Sequence, residues 1–154
     1  MRLSSKDEVE APVAFVFAQL SDFGGWERAA LRRGSEVHRT DAGDGQLSWS
    51  VTFSYRGKPR HLALTLEEIA PPSRLAFSGA GASLDGVLGI DLVEMAPRRT
   101  RIVVKVDVRP RTLVARLFVQ SLKLARGRVE TRFRTRASQI AGEIEDRYRR
   151  GGTA

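Results

Sequence analysis

The chain has 154 residues, enough for one domain with a substantial core, and its 42% hydrophobic and 29% charged content is ordinary for a globular protein. It contains no cysteine, which excludes disulfides, thiolate zinc sites and a cysteine nucleophile. The net charge of +8 is concentrated: nine cations at positions 109, 111, 116, 123, 126, 128, 132, 134 and 136 are opposed there only by Glu130, while the remainder holds 17 basic and 17 acidic residues.

In chain order, residues 3–11 read as a short polar strand. Pro12 suits the first turn of a helix, where its missing N–H costs nothing. Val13, Phe15, Val16, Phe17 and Leu20 then describe a short apolar helix ending near Asp22, which is placed to cap a second helix over about 25–33. In that second helix Trp26, Ala29 and Ala30 form the expected buried side, and Gly34 stops it. Residues 35–40 read as a strand, and the run Asp41, Ala42, Gly43, Asp44, Gly45 as a turn.

Clean alternation begins at Gln46. Trp49, Val51, Phe53 and Tyr55 share one face, with Ser48, Ser50, Thr52 and Ser54 on the other. A turn at Arg56, Gly57 and Lys58 leads into a partner strand whose Leu62, Leu64 and Leu66 oppose His61, Thr65 and Glu67. Pro71 and Pro72 interrupt it, and Leu75 and Phe77 resume the pattern. Leu84, Leu88, Ile90 and Leu92 alternate with Asp85, Gly89 and Asp91, and after another turn Ile102, Val104, Val106 and Val108 alternate with Arg101, Lys105 and Asp107. Such runs joined by short turns predict an antiparallel meander with one wet face. From 111 to about 149 the period becomes helical. Val114, Leu117, Phe118, Leu122 and Ala125 form a broad apolar arc with Arg116 and Lys123 opposite, followed by a narrower stripe of Val129, Phe133, Ala137, Ile140 and Ile144. Gly127 predicts a slight bend in one long helix.

The element order is a strand, two short helices, six strands and a long terminal helix. Two stretches of local text accompany it. The first is Val9-Glu10-Ala11-Pro12-Val13-Ala14-Phe15-Val16-Phe17, followed by Leu20-Ser21-Asp22 and Trp26, and the second is Leu66-Glu67-Glu68-Ile69-Ala70-Pro71-Pro72-Ser73-Arg74-Leu75-Ala76-Phe77. Order and text together resemble the START-like or SRPBCC superfamily, which includes birch-pollen allergen relatives and polyketide cyclases. The resemblance implies an α+β helix-grip fold, a curved antiparallel sheet of about seven strands around the C-terminal helix. It covers residues 1–150 as one domain, with 151–154 as a tail. It also implies a hydrophobic cavity between sheet and helix, used by members of the superfamily to bind lipids, sterols, quinones, hormones or polyketides, and by some for cyclisation or dehydration.

On this reading a ligand site is expected from Trp49, Val51, Phe53, Tyr55, Leu64, Phe77, Leu88, Ile90, Val104 and Val106, roofed by Leu117, Phe118 and Leu122. Trp49 and Tyr55 are of special interest, because a buried indole N–H or phenol needs a partner that a ligand could supply. The core packing of these same side chains is the competing interpretation.

Other chemistry is sparsely signalled. His38 and His61 lack metal-ligand spacing, and no metal site or cofactor is expected. Asp85 and Asp91 share a face expected to be solvated, the serines lack a nucleophile elbow, and Gly43-Asp44-Gly45 lacks the lysine and helix of a phosphate loop. No catalytic residue is therefore assigned. The basic segment has three readings: the solvated outer face of a cavity-closing helix, weak contact with an anionic membrane, or, least favoured for want of exposed aromatics, nucleic-acid binding. A charged N-terminus without an apolar core predicts no signal peptide, and no apolar stretch approaches the roughly 20 residues of a membrane span, so a soluble cytoplasmic protein is expected. The preferred function is binding or transport of a hydrophobic small molecule or lipid, with a cyclase or dehydratase as the alternative.

Overall fold

The computed structural model describes residues 1–41 and 46–151. Strand β1 (Arg2–Val9) leads into helices α1 (Val13–Leu20) and α2 (Phe23–Arg32), then strands β2 (Glu36–Asp41), β3 (Leu47–Tyr55), β4 (Lys58–Ala70), β5 (Arg74–Gly81), β6 (Leu84–Ala96) and β7 (Arg99–Pro110), and helices α3 (Leu113–Leu124) and α4 (Arg126–Arg149). The α+β helix-grip class expected from the sequence is the one observed. The expected glycine-rich turn falls at 42–45, outside the described residues.

All seven strands pair antiparallel in the order β1-β7-β6-β5-β4-β3-β2. Strands β2 to β7 form a simple meander, but β1 lies beside β7, so the chain must cross from one edge of the sheet to the other. Six inter-strand gaps span about 29 Å. Helices of 8 and 10 residues rise about 12 and 15 Å, which is close to that width. Pro12 opens α1, and the Asp22 side chain accepts a hydrogen bond from the Gly25 N–H at 3.2 Å, which permits the second helix to start at a new angle.

The close-packed core sits where α1 and the C-terminal half of α4 meet the sheet. Val9, Val16, Leu75 and Ile144 are buried there with Leu92 and Ile102 around them, and Phe15 meets Tyr148 edge-on at 5.1 Å. The Ala-Pro step acquires a structural reason in this core. Ala11 is wholly buried, so its carbonyl cannot reach water, and the equally buried Thr100 hydroxyl donates to it at 2.8 Å. At the other proline step, Pro71–Pro72 is a cis peptide in the β4–β5 turn, with the Ser73 N–H donating to the Ala70 carbonyl at 2.8 Å. The β3–β4 hairpin turns through Arg56 and Gly57, both at positive φ (53° and 75°), the geometry of a two-residue turn matched to strand twist.

Helix α4 runs alongside the edge strand β1 and blunts it. Arg126 and Arg134 donate to the carbonyls of Arg2 and Ser4 (3.3 and 3.5 Å), Ser138 donates to Asp7 (2.7 Å), and Glu145 accepts from the Glu10 N–H (2.8 Å). Backbone groups that could pair with a second chain are thus engaged.

Two expectations need correction. The single C-terminal helix is two: it breaks at Ala125 (φ −102°, ψ 27°), two residues before the expected bend at Gly127. The interruption lets α3 lie across the end of the sheet while α4 follows β1. The arc of α3 assigned to the interior is also rotated. Ala115 and Val119 are buried, whereas Val114 and Leu117 face outward. Because α3 is apolar on most sides, periodicity does not choose its inner face. Its entry is set by Arg111, which donates to the carbonyls of Gly81 and Ala82, and by the Thr112 side chain accepting from the Ala115 N–H.

This packing gives three expected outcomes in urea unfolding. Ile144→Ala should destabilise by about 2–5 kcal/mol, while Leu124→Ala, at a residue 92% exposed, should change stability by less than about 0.5 kcal/mol. Thr100→Val, which strands the Ala11 carbonyl, should cost about 1–3 kcal/mol; an unchanged midpoint would remove that hydrogen bond from the account.

Candidate functional site

Beyond the core, the concave face of the sheet is not filled. A cavity of about 820 Å³, open to solvent rather than sealed, lies between the sheet, α2 and α4. Alternation puts Trp49, Val51 and Phe53 of β3, Leu62 and Leu64 of β4, Phe77 of β5, Leu84, Leu88 and Ile90 of β6, and Ile102, Val104, Val106 and Val108 of β7 on its wall. Phe133, Ala137, Ile140 and Ala141 of α4 form the roof, spaced to face one side of a helix. Leu20, Phe23, Trp26, Ala30 and Val37 close the far side. Phe23, Trp49 and Phe77 meet at centroid distances of 5.3–6.2 Å and form an aromatic corner.

Part of the floor has no side chains. Gly79 and Gly86 are register partners across β5 and β6, and both line the cavity. A Cβ at Gly79 would press on Leu62 and Leu64 at 3.3 Å, whereas one at Gly86 would meet only the Asp107 carbonyl oxygen at 3.5 Å. The space above Gly86 is therefore cavity.

Polar groups are few. Asp7, on the inward-facing register of β1, is held by Ser138, and Arg136 of α4 lies at the same wall with a 3.4 Å hydrogen bond to Gln139. Asp85 sits at the rim, 3.5 Å from Arg111, with Oδ1 buried and without a hydrogen bond among the described residues. Glu27 is the most tightly held. Its carboxylate accepts two hydrogen bonds from Arg39 (2.8 and 2.9 Å) and one from the Trp49 indole N–H (3.0 Å). The Arg39 hydrogen bond lowers the Glu27 pKa, outweighing partial burial, with help from Trp49 and the charges of Arg39 and Arg28. Glu27 is thus a fixed anion that ties α2 to β2 and β3.

The structure brings nine of the expected residues to one wall: Trp49, Val51, Phe53, Leu64, Phe77, Leu88, Ile90, Val104 and Val106. It places the other four outside it. Tyr55, at the end of β3, is 43% exposed and packs against Phe118 at 6.4 Å beneath the Arg56 guanidinium. Leu117 is exposed and Leu122 half-buried, and the roof comes from α4 instead. The partner sought for the Trp49 N–H is Glu27, within the chain. Trp26, expected on a buried side, is 38% exposed, because the inner side of α2 meets the cavity and not the core.

Sequence reading did not single out Glu27, Asp7, Arg136 or the Gly79–Gly86 pair. Only Asp7 carried a usable signal, the alternation with Val9 along β1. The histidines are exposed, His61 within 3.0 Å of the Thr52 hydroxyl, and among the described residues no His, Cys, Asp and Glu group could hold a metal. Asp91 lies on the outer face in an ion pair with Arg74 at 2.8 Å, and Arg74 also reaches Glu68. Among the described residues no helix is long and apolar enough to cross a membrane.

A family model described as polyketide cyclase/dehydrase and lipid transport matches residues 1–145. Among solved structures, the Zhui aromatase/cyclase from a Streptomyces species superposes with a TM-score of 0.71 at 17% identity, covering 99% of each chain. A conserved protein from Geobacillus kaustophilus gives 0.65 at 15% identity, covering 95% of this chain and 96% of that one. A START superfamily protein from Mycobacterium smegmatis gives 0.53 at 17% identity, covering 85% and 95%. At these identities the likeness establishes the fold alone. No curated protein sequence matches the chain.

Glu27 is expected to make the aromatic corner respond to pH. Its folded pKa lies below its ordinary value, so its contribution is complete above the unfolded pKa of about 4.3 and is lost as pH falls through the folded value. In a Trp26→Phe background, Trp49 emission should be constant from neutral pH to about 4.3 and change below it. Glu27→Ala should produce that change already at neutral pH. Emission in Glu27→Ala identical to the parent would show that the carboxylate does not hold the indole.

Proposed function

The chain belongs to the polyketide cyclase/dehydrase and lipid transport family, and we propose that it binds a hydrophobic small molecule or lipid in the cavity between the sheet and α4. The observation that carries this reading is the cavity itself: about 820 Å³ beneath α4, walled by aliphatic and aromatic side chains and open to solvent. That volume is within the range of small-molecule sites, in which an apolar lining supplies affinity and a few polar groups set orientation.

The bare floor at Gly86 gives the ligand body its room, and the Phe23, Trp49 and Phe77 corner offers ring faces and edges to pack against. Asp7 and Arg136 at the α4 wall are the groups available to orient a polar end of the ligand. A cyclase or dehydratase reading asks for an acid–base residue whose pKa is poised near the working pH. Glu27 is held in the opposite sense, ionised by Arg39 and engaged by Trp49. This favours binding over catalysis as the reading of that residue.

Native mass spectrometry of the purified protein should reveal a co-purified apolar molecule, or uptake of an added long-chain fatty acid or fluorescent apolar probe. Gly86→Leu would place a side chain in the open space without a backbone clash. Displacing even two buried methylene equivalents of ligand removes about 1.6 kcal/mol, so affinity should fall by more than about tenfold with Tm unchanged or raised. Undiminished binding in Gly86→Leu would place the ligand elsewhere.

A further inference from the structure

Helix α3 presents its apolar residues to both sides. Eight of its twelve residues are apolar. Ala115 and Val119 are buried, but Leu113, Val114, Leu117 and Leu124 are exposed by 73, 77, 59 and 92%. At 3.6 residues per turn, Leu113, Leu117 and Leu124 fall within one sector of roughly 40°, on the side opposite the buried pair. A helix apolar on opposite faces is normally covered on both, so this outer stripe marks a contact surface.

The charges around the stripe indicate what covers it. Arg116 and Lys123 border it along one side, and Arg128 follows in the first turn of α4. Among the described residues none of these three side chains has an ion-pair or hydrogen-bond partner. The acids of the adjoining segments are already engaged, Asp85 by Arg111 and Glu130 by Arg126. Through Phe118, α3 also touches the β3–β4 hairpin, where Arg56 lies 5.7 Å from the Phe118 ring and Lys58 and Arg60 follow. A leucine stripe rimmed by free cations is the pattern of a helix lying in the plane of an anionic membrane interface.

We propose that α3 docks the protein on an anionic lipid bilayer, with Leu113, Leu117 and Leu124 entering the acyl boundary and Arg116, Lys123 and Arg128 meeting the headgroups. A second copy fits less well, because a two-fold contact through the stripe would bring the same cations face to face. A nucleic acid would satisfy the cations and leave the leucines in water. Since α3 lies across the end of the sheet formed by the β3–β4 and β5–β6 turns, docking would turn that end of the molecule toward the lipid. The surface is independent of what occupies the cavity, whose wall contains none of these residues.

The test is co-sedimentation of the full chain with vesicles of phosphatidylcholine alone or phosphatidylcholine mixed with phosphatidylserine. The protein should partition onto the phosphatidylserine vesicles, and added salt should weaken the binding. A Leu117→Ser/Leu124→Ser variant with an unchanged circular dichroism spectrum should bind more than about tenfold more weakly. Two controls, Val93→Ser at an exposed position on β6 and the cavity-filling Gly86→Leu, should bind as the parent does, which separates this surface from the ligand site. The proposal fails if the protein ignores phosphatidylserine vesicles or if the double variant binds them undiminished. A concentration-dependent dimer in sedimentation velocity, dissolved by the same two substitutions, would assign the stripe to a second copy and also overturn it.

Discussion

The rest of this structure depends on the pairing of β1 with β7. Because β2 begins at the opposite edge, the segment between the first two strands must cross the whole concave face, and only one end of that face receives α1. There the side chains of α1, α4 and the sheet interdigitate around Val9, Val16, Leu75 and Ile144. Everything beyond that end of the sheet has too little chain above it to be filled. The cavity is therefore a consequence of topology, produced by having two short helices and one long one to cover a seven-stranded sheet.

Keeping that space open has an energetic side. Apolar wall residues that lack packing partners forgo the stabilisation of a filled core, so the surrounding elements must be held by other means. The Glu27 carboxylate anchors α2 through Arg39 and Trp49, and four contacts along β1 hold α4 against the sheet edge. The Ala11 carbonyl, buried at the crossing, is satisfied by Thr100. Of the residues in these contacts only Glu27, Trp49 and Asp7 reach the cavity wall, and the centre of the cavity is left apolar.

The architecture was legible because it rests on periodicity. The runs through Trp49 and Phe53, Leu62 and Leu64, Leu88 and Ile90, and Val104 and Val106 each declare an inner face by strict alternation, and a misregister would reverse every side chain at once. The stripe from Phe133 to Ile144 was equally clear, since its outer residues are polar. The C-terminal segment was less so. In α3, Leu113, Leu117 and Leu124 are as apolar as Ala115 and Val119, so the hydrophobic pattern contains no instruction about which side turns inward. The break at Ala125 was legible only as a slight bend expected at Gly127, because neither Ala125 nor its immediate neighbours carries a strong stop signal of the kind that Gly34 provides after α2.

By itself the sequence determined the antiparallel meander, the strand faces and the presence of an apolar interior, because these follow from local spacing and turn chemistry, while the helix-grip class was implied by the family resemblance of its element order and local text. Tertiary structure alone decided that Tyr55, Leu117, Phe118 and Leu122 stand outside the cavity, that Glu27 is the partner of Trp49, and that leucines of α3 meet solvent. The reason is physical. Local pattern specifies how a segment divides its own faces, whereas the rotation of a helix and the meeting of residues 22 positions apart depend on what the rest of the chain leaves uncovered.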